Sequence, residues 1–257
     1  MRILRVMYQG HVFYASLENK AVVCLNKALG FTQPIPLAQV AILPVVMPTK
    51  IVCAAVNYKA HGQEMEHSIP EEPRIFFKPP SAVIGHGEPI VLPSESKQVE
   101  YEGELAVVMG KTCKDILPND AAPYVFGYAC ANDVTARDLQ KRDVQFARAK
   151  GFDTFAPIGP WIETEVADPS NMTLRTTLNG KVVQDCSTSE MVFSPFELVS
   201  FVSSIMTLHP GDVILTGTPA GVGELHEGDE VSIELEGVAL LTNTVIRKTQ
   251  ASESAIQ

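Results

Sequence analysis

The 257-residue chain has no Cys-x-x-Cys pair, and its five cysteines (Cys24, Cys53, Cys113, Cys130, Cys186) are odd in number and widely scattered. That pattern argues against a disulfide framework and a thiolate zinc site; it reads as a set of buried, reduced thiols. No apolar run is long enough for a membrane span, and the longest, residues 40–47, is broken by Pro44. Residues 1–10 carry Arg2, Arg5 and Gln9 among few apolar neighbours, unlike a signal peptide, so a cytoplasmic location is expected. Basic charge is scarce: 20 Lys and Arg against 30 Asp and Glu give a net charge of −10 at pH 7. Nucleic acid and anionic membrane surfaces reward basic patches, so neither is an expected partner. His-Glu-x-x-His and Gly-x-Ser-x-Gly are also missing, which disfavours a zinc protease and a serine hydrolase of the α/β type.

What is present is an ordinary globular balance, 46% hydrophobic and 19% charged residues, with enough length for one large domain plus a small appendage. Residues 1–48 hold short strand-like runs (3–8, 11–17 and 21–25) and close on Pro44 and Pro48, which reads as a small β-rich N-terminal subdomain. Residues 49–249 form the main unit, and 250–257 read as a disordered tail. In the main unit, 51–56 is a buried-strand candidate, 57–69 a polar, helical stretch ended by Pro70 and Pro73, and 74–78 a strand stopped by Pro79-Pro80. Asn179-Gly180, between the runs 174–178 and 181–184, predicts a two-residue hairpin turn, because both positions must take positive φ. Ser194, Pro195 and Glu197 predict a capped helix with an apolar face of Phe196, Leu198, Phe201, Val202, Ile205 and Met206, stopping at His209-Pro210-Gly211. Further strands are expected at 213–216, 231–235 and 238–245.

Four groups of residues can carry chemistry. Glu102 and Glu104 stand two apart in the apolar run 101–109, so on a continuous strand both carboxylates project from one face. Asp133 ends another strand-like stretch. Like charges on one face repel unless water or a cation relieves them, so these acids read either as a metal cage or as solvated positions. Three hard oxygen donors suit Mg²⁺ or Mn²⁺ better than zinc. His61 and Glu64, at i and i+3, can touch on a helix, either as a general-base dyad or as an ordinary polar face. Lys78, Arg137 and Lys150 lie among apolar residues, where each can hold a carboxylate or an oxyanion, or simply be solvated. In Thr216-Gly217-Thr218-Pro219-Ala220-Gly221-Val222-Gly223 the glycines permit either close backbone approach to a ligand or a tight turn; no Gly-Lys-Ser/Thr follows to make a phosphate loop.

Taken in order, six motifs resemble those of the fumarylacetoacetate hydrolase family, in its smaller, mostly prokaryotic branch, over residues 51–245. They are Asn57-Tyr58-x-x-His61-x-x-Glu64, Phe77-Lys78-Pro79, Tyr101-Glu102-x-Glu104-Leu105, Asn132-Asp133-Val134-Thr135-Ala136-Arg137-Asp138, Ala149-Lys150-Gly151-Phe152-Asp153, and Leu215-Thr216-Gly217-Thr218-Pro219-x-Gly221-Val222-Gly223. That branch includes acylpyruvate hydrolases, oxaloacetate decarboxylases and tautomerases, and 2-hydroxyhepta-2,4-diene-1,7-dioate isomerases. The resemblance implies a mixed, mainly-β (α+β) fold with a β-roll core, a homodimer, and Mg²⁺ or Mn²⁺ on Glu102, Glu104 and Asp133. By the same matching, His61 and Glu64 are the catalytic pair on a lid, Lys150 stands beside the metal, and Lys78, Arg137 and Thr218 surround the substrate's oxygens.

The resemblance further implies a small anionic 2-oxo acid substrate whose keto and carboxylate oxygens chelate the metal, so that enolate charge is met by the cation. Hydrolysis of a C–C bond in an acylpyruvate-type substrate is the leading expectation. Decarboxylation, tautomerisation and isomerisation draw on the same residues and are the alternatives; a non-catalytic ligand-binding homologue is disfavoured by retention of the whole set. Two departures stand out. Ala55 replaces the glycine that many members place before Val56-Asn57-Tyr58, which is expected to stiffen the lid's hinge. Residues 52–56 also offer no fourth metal carboxylate of the kind found in the larger animal enzyme, so that enzyme's substrate does not carry over.

Overall fold

The structure, a computed structural model, describes residues 1–66 and 68–247; the expected C-terminal tail and His67 lie outside the described residues. Most of the regular structure is β, arranged in three sheets, and the mixed, mainly-β class expected from the sequence is what the chain adopts. The largest sheet runs, edge to edge, through Ile35–Pro36, Ala21–Cys24, His11–Glu18, Arg2–Tyr8, Ala156–Glu163, Val125–Asn132, Gly103–Met109, Val213–Leu215, Ile51–Ala55 and Arg74–Lys78. Two short strands, Ala41–Leu43 and Val83–Ile84, attach to it and bring it to 12 strands. A five-stranded sheet contains Lys181–Ser187, Thr173–Leu178, Glu230–Leu235, Ala239–Arg247 and Ile90–Leu92. The third sheet is small: Thr135–Ala136, Val99–Tyr101 and Gly223–Glu224.

Alternation decides which side chains fill which layer. Along Gly103–Met109, Leu105, Val107 and Met109 join the main core with Leu174, Ile233 and Leu241 of the five-stranded sheet and Leu198 and Val202 of the helix Pro195–Ile205. Ala106 and Val108 point the other way and pack with Ile51, Cys53, Ala129, Ala131, Val213 and Leu215. Every residue of this strand is buried, so no face of it is solvated. The N-terminal strands carry a cluster of their own around Leu4, Phe13 and Val22, and Arg2 and Ile3 pair with Glu163 and Ile162 of the main sheet. All five cysteines are free thiols. Among the described residues no helix is long and apolar enough to cross a membrane.

Locally dictated features match the sequence expectations closely. The hairpin turns at Asn179 (φ 51°) and Gly180 (φ 75°), and Arg74–Lys78 is a strand. The helix Pro195–Ile205 begins with a full capping box: Ser194 Oγ accepts from Glu197 N–H, and Glu197 Oε2 accepts from Ser194 N–H. Three expectations are corrected. That helix stops before the expected His209-Pro210-Gly211, because Met206 is extended (φ −143°, ψ 153°) and Leu208 bridges to Cys113. The helix in 57–69 is confined to Lys59–Glu64. The run 101–109 is not one strand: the chain leaves the small sheet after Tyr101 and enters the large one at Gly103, with Glu102 at the junction.

A single buried acid ties down the parallel pairing of Val213–Leu215 with Ile51–Ala55. Asp212 accepts from Thr49 N–H and Oγ1–H, from Lys50 N–H and Nζ, and from His209 N–H. Burial opposes its ionisation, but these donors outweigh it and hold its carboxyl below the usual range. A depressed carboxyl contributes stability above its unfolded pKa, and the contribution is lost as pH falls through the folded value. Asp212→Asn is therefore expected to cost about 2 kcal/mol at pH 7, as charge-assisted bonds do, with the gap from wild type closing in urea unfolding as pH falls below the ordinary aspartate range.

Candidate metal centre and active site

Glu102 sits where the two sheets meet because its N–H donates to the Asn132 side chain (2.9 Å) instead of to a ladder partner, while its C=O accepts Asp133 N–H (2.8 Å). This stitch brings Asp133, just beyond Val125–Asn132, against Glu102. Glu104 follows on Gly103–Met109, and one carboxylate oxygen from each of the three acids lies within 4.8 Å of the others. Gly103 between them is required by packing: a Cβ there would stand 2.2 Å from Thr176 Oγ1. All three acids are buried, and their oxygens form a hard donor set that fits Mg²⁺ or Mn²⁺.

Three buried cations surround the acids. Lys150 Nζ bridges Glu102 Oε2 (2.9 Å) and Asp133 Oδ2 (2.7 Å), and Lys78 Nζ bonds Asp133 Oδ1 (2.6 Å) and Val134 O (2.9 Å). Arg137 divides its fork between Glu102 Oε1, Glu100 Oε2 (2.7 Å) and Gln140 Oε1 (2.6 Å). Among the described residues no cation is bonded to Glu104; Gly217 N–H donates to its Oε2 at 2.6 Å. Burial disfavours charge on all these groups, and the balance differs at each. Lys150 and Arg137 overcome burial at Glu102 and hold it well below the usual carboxylate range. At Glu104 burial, reinforced by Asp133 and Glu102, pushes the carboxyl well up. Asp133 and Glu102 overcome burial at Lys150 and raise it, whereas burial prevails at Lys78 and lowers it. The carboxyl that lacks a cation partner is thus the one a divalent ion would relieve most.

His61 and Glu64 are brought together as expected. Glu64 Oε2 lies 3.2 Å from His61 Nδ1, and its other oxygen accepts Gly221 N–H at 3.0 Å. The short helix that carries them is bounded by two residues in the left-handed region, Val56 (φ 58°) and Glu66 (φ 56°). Positive φ at a β-branched residue is strained by on the order of 1–3 kcal/mol, and Val56 lies directly after Ala55, where the hinge was expected. Asn57 fastens the segment's base by donating to Phe193 O and Thr216 O.

A cavity of about 540 Å³ is lined by His61, Glu102, Glu104, Arg137, Lys150 and Thr218, with Phe76 and Phe146 among its apolar walls. Lys78, Glu64 and Asp133 are not among its lining residues. Lys78 and Arg137, expected around substrate oxygens, are bonded here to carboxylates. The sequence reading missed Glu100, Gln140 and Gln184. Gln140 is three residues beyond Arg137 on the helix Arg137–Arg142, a spacing that signals contact. Gln184 had no such signal: it reaches Gly103, Thr218 and Pro219 from the hairpin strand Lys181–Ser187.

The fold and the site together are a mainly-β body with three buried, clustered carboxylates that could hold a metal ion, two of them lining a cavity shared with His61. The profile described as fumarylacetoacetate (FAA) hydrolase C-terminal matches residues 50–246, and the chain belongs to that family. It is 45% identical to the structure of 5-carboxymethyl-2-hydroxymuconate delta-isomerase from Mycobacterium smegmatis, with a TM-score of 0.89 over 97% of this chain and 100% of that one. Maleylpyruvate hydrolase from Sphingobium sp. SYK-6, solved with manganese(II) and pyruvate, is 31% identical with a TM-score of 0.82, covering 97% of this chain and 100% of that one. Oxaloacetate tautomerase Fahd2a, mitochondrial, of Rattus norvegicus is 43% identical over 233 residues, 86% of this chain and 75% of that protein.

Titration calorimetry with MnCl₂ is expected to show about one ion bound per chain, as a single carboxylate site requires. Glu104→Ala should abolish that binding, and heat unchanged from wild type in the mutant would exclude the assignment.

Proposed function

We propose that the protein is a Mg²⁺- or Mn²⁺-dependent enzyme acting on an enolisable 2-oxo carboxylate, with C–C bond hydrolysis of an acylpyruvate-type substrate as its reaction. The observation that carries this reading is that two of the three clustered carboxylates and His61 face the same cavity. A divalent ion on Glu102, Glu104 and Asp133 would supply Lewis-acid stabilisation of charge on an enolate oxygen. The remaining roles belong to side chains. With Nδ1 of His61 engaged by Glu64, Nε2 is the nitrogen that takes a proton, from water in hydrolysis or from the carbon beside the keto group in tautomerisation. Lys150, bonded to both Glu102 and Asp133, stands beside the acids that would hold the ion and can donate to a substrate oxygen there. Arg137 holds Glu102 in place through its link to Glu100.

The open side of the cavity adds a preference within the substrate class. Arg74 and Lys141 line it, both exposed, and neither has an ion-pair partner among the described residues. Two such cations favour a 2-oxo acid with a second carboxylate. Keto–enol tautomerisation of oxaloacetate is the second reading, supported by the likeness to the rat tautomerase. A homodimer belongs to the same proposal. Product identification after incubation with oxaloacetate, acetylpyruvate and fumarylpyruvate in the presence of Mg²⁺ separates the reactions, and no turnover of any of them would defeat the proposal.

His61→Ala is expected to lower kcat by roughly 10²- to 10⁴-fold, the usual worth of a general base, with Mn²⁺ affinity retained because the metal ligands lie on other segments. Glu64→Gln should be milder. The segment 57–73, hinged at Val56, should exchange amide hydrogens quickly in the free protein and more slowly with Mg²⁺ and oxalate, a stable mimic of a chelating enolate. Equal protection in both states would rule out closure.

A further inference from the structure

Gln184 has no place in the chemistry described so far, yet both ends of its side-chain amide are bonded, and both N–H groups are used. Its Oε1 accepts Gly103 N–H at 3.1 Å, and its Nε2 donates to Pro219 O and to Thr218 Oγ1, both at 2.8 Å. The two backbone partners settle the orientation of the amide: Gly103 N–H can only donate and Pro219 C=O can only accept. The group that meets Thr218 is therefore an N–H, and Thr218 Oγ1 must accept from it. A hydroxyl that accepts from one side keeps its own proton for another, and Thr218 is buried at the cavity wall.

The same amide spans two parts of the site. Gly103 lies between Glu102 and Glu104, while Thr218 and Pro219 belong to the loop whose Gly217 N–H holds Glu104 and whose Gly221 N–H holds Glu64. Tyr101 adds a bond from its hydroxyl to Gly221 O at 2.9 Å, so the loop is anchored on both sides. The strand of Gln184 also packs directly on this loop: a Cβ on Gly221 would fall 2.1 Å from Val183 O.

The geometry points to Gln184 as a positioning residue that polarises Thr218, forcing the Thr218 hydroxyl to present its proton, not a lone pair, to an anionic oxygen of the bound 2-oxo acid. This rests on the enolate reading above. Gln184→Glu is nearly isosteric and keeps the acceptor for Gly103. An ionised carboxylate cannot donate to Thr218, so the hydroxyl would turn its proton toward residue 184 and its lone pair toward the ligand. Gln184→Met removes every bond without adding charge and covers the case in which the buried carboxylate prevents folding.

The test is a double-mutant cycle on oxalate affinity in saturating Mn²⁺, with Mn²⁺ affinity alone measured alongside. Thr218→Val should weaken oxalate about tenfold, the worth of one hydrogen bond to a charged group. Gln184→Glu should match it, and the double variant should be no weaker than Thr218→Val alone, because both act on one proton. Mn²⁺ affinity should stay within about twofold in each variant, a separation that a merely structural role would not produce. Losses that multiply, or Mn²⁺ binding that falls in step with oxalate, would overturn the role of Gln184 while leaving the enolate reading intact. Wild-type protein that binds Mn²⁺ but not oxalate would overturn the enolate reading and this role with it.

Discussion

Like charges held together away from water set the terms for this molecule. Glu102, Glu104 and Asp133 are buried with oxygens within 4.8 Å of one another, an arrangement that is costly without counter-charge. Lys78, Lys150 and Arg137 answer Glu102 and Asp133 directly, and each of these cations is itself buried. Removing any one would leave a buried charge uncompensated, which is the expensive half of a buried ion pair. The cluster is held by reciprocal need among its members. Glu104, bonded to a backbone N–H and to no cation among the described residues, marks where the compensation is incomplete.

The fold serves this cluster by bringing distant segments to one junction. The chain switches sheets at Glu102, and the switch is possible because Asn132 and Asp133 supply the hydrogen bonds that a continuous ladder would have supplied. A regular strand would have placed the two glutamates on one face and left Asp133 to chance. The interruption fixes the third acid against the first. Asp212 performs a comparable service further out, holding the strand that leads to Thr216 beside the strand that leads to the helix of His61 and Glu64.

What could be read from the chain follows the range of the interactions concerned. The Asn179-Gly180 turn and the Ser194 to Glu197 capping box are closed within a few residues, and the structure reproduces both. The pairing of His61 with Glu64 was legible for the same reason. The break at Glu102 was not, because its cause is a side chain 30 residues away. Gln184 was invisible for a stronger version of that reason: its partners stand 34, 35 and 81 residues off. Arg137 was expected beside substrate oxygens, but its commitment to Glu100 and Gln140 emerged only from the folded arrangement.

The carboxylate of Glu64 joins two things that are usually separate. One oxygen faces His61 Nδ1 and the other is held by Gly221 N–H. Four residues earlier in the same loop, Gly217 N–H holds Glu104. One short stretch of backbone therefore sets the position of a clustered carboxylate and of the side chain that meets His61, so a change in that loop's path would reach both at once.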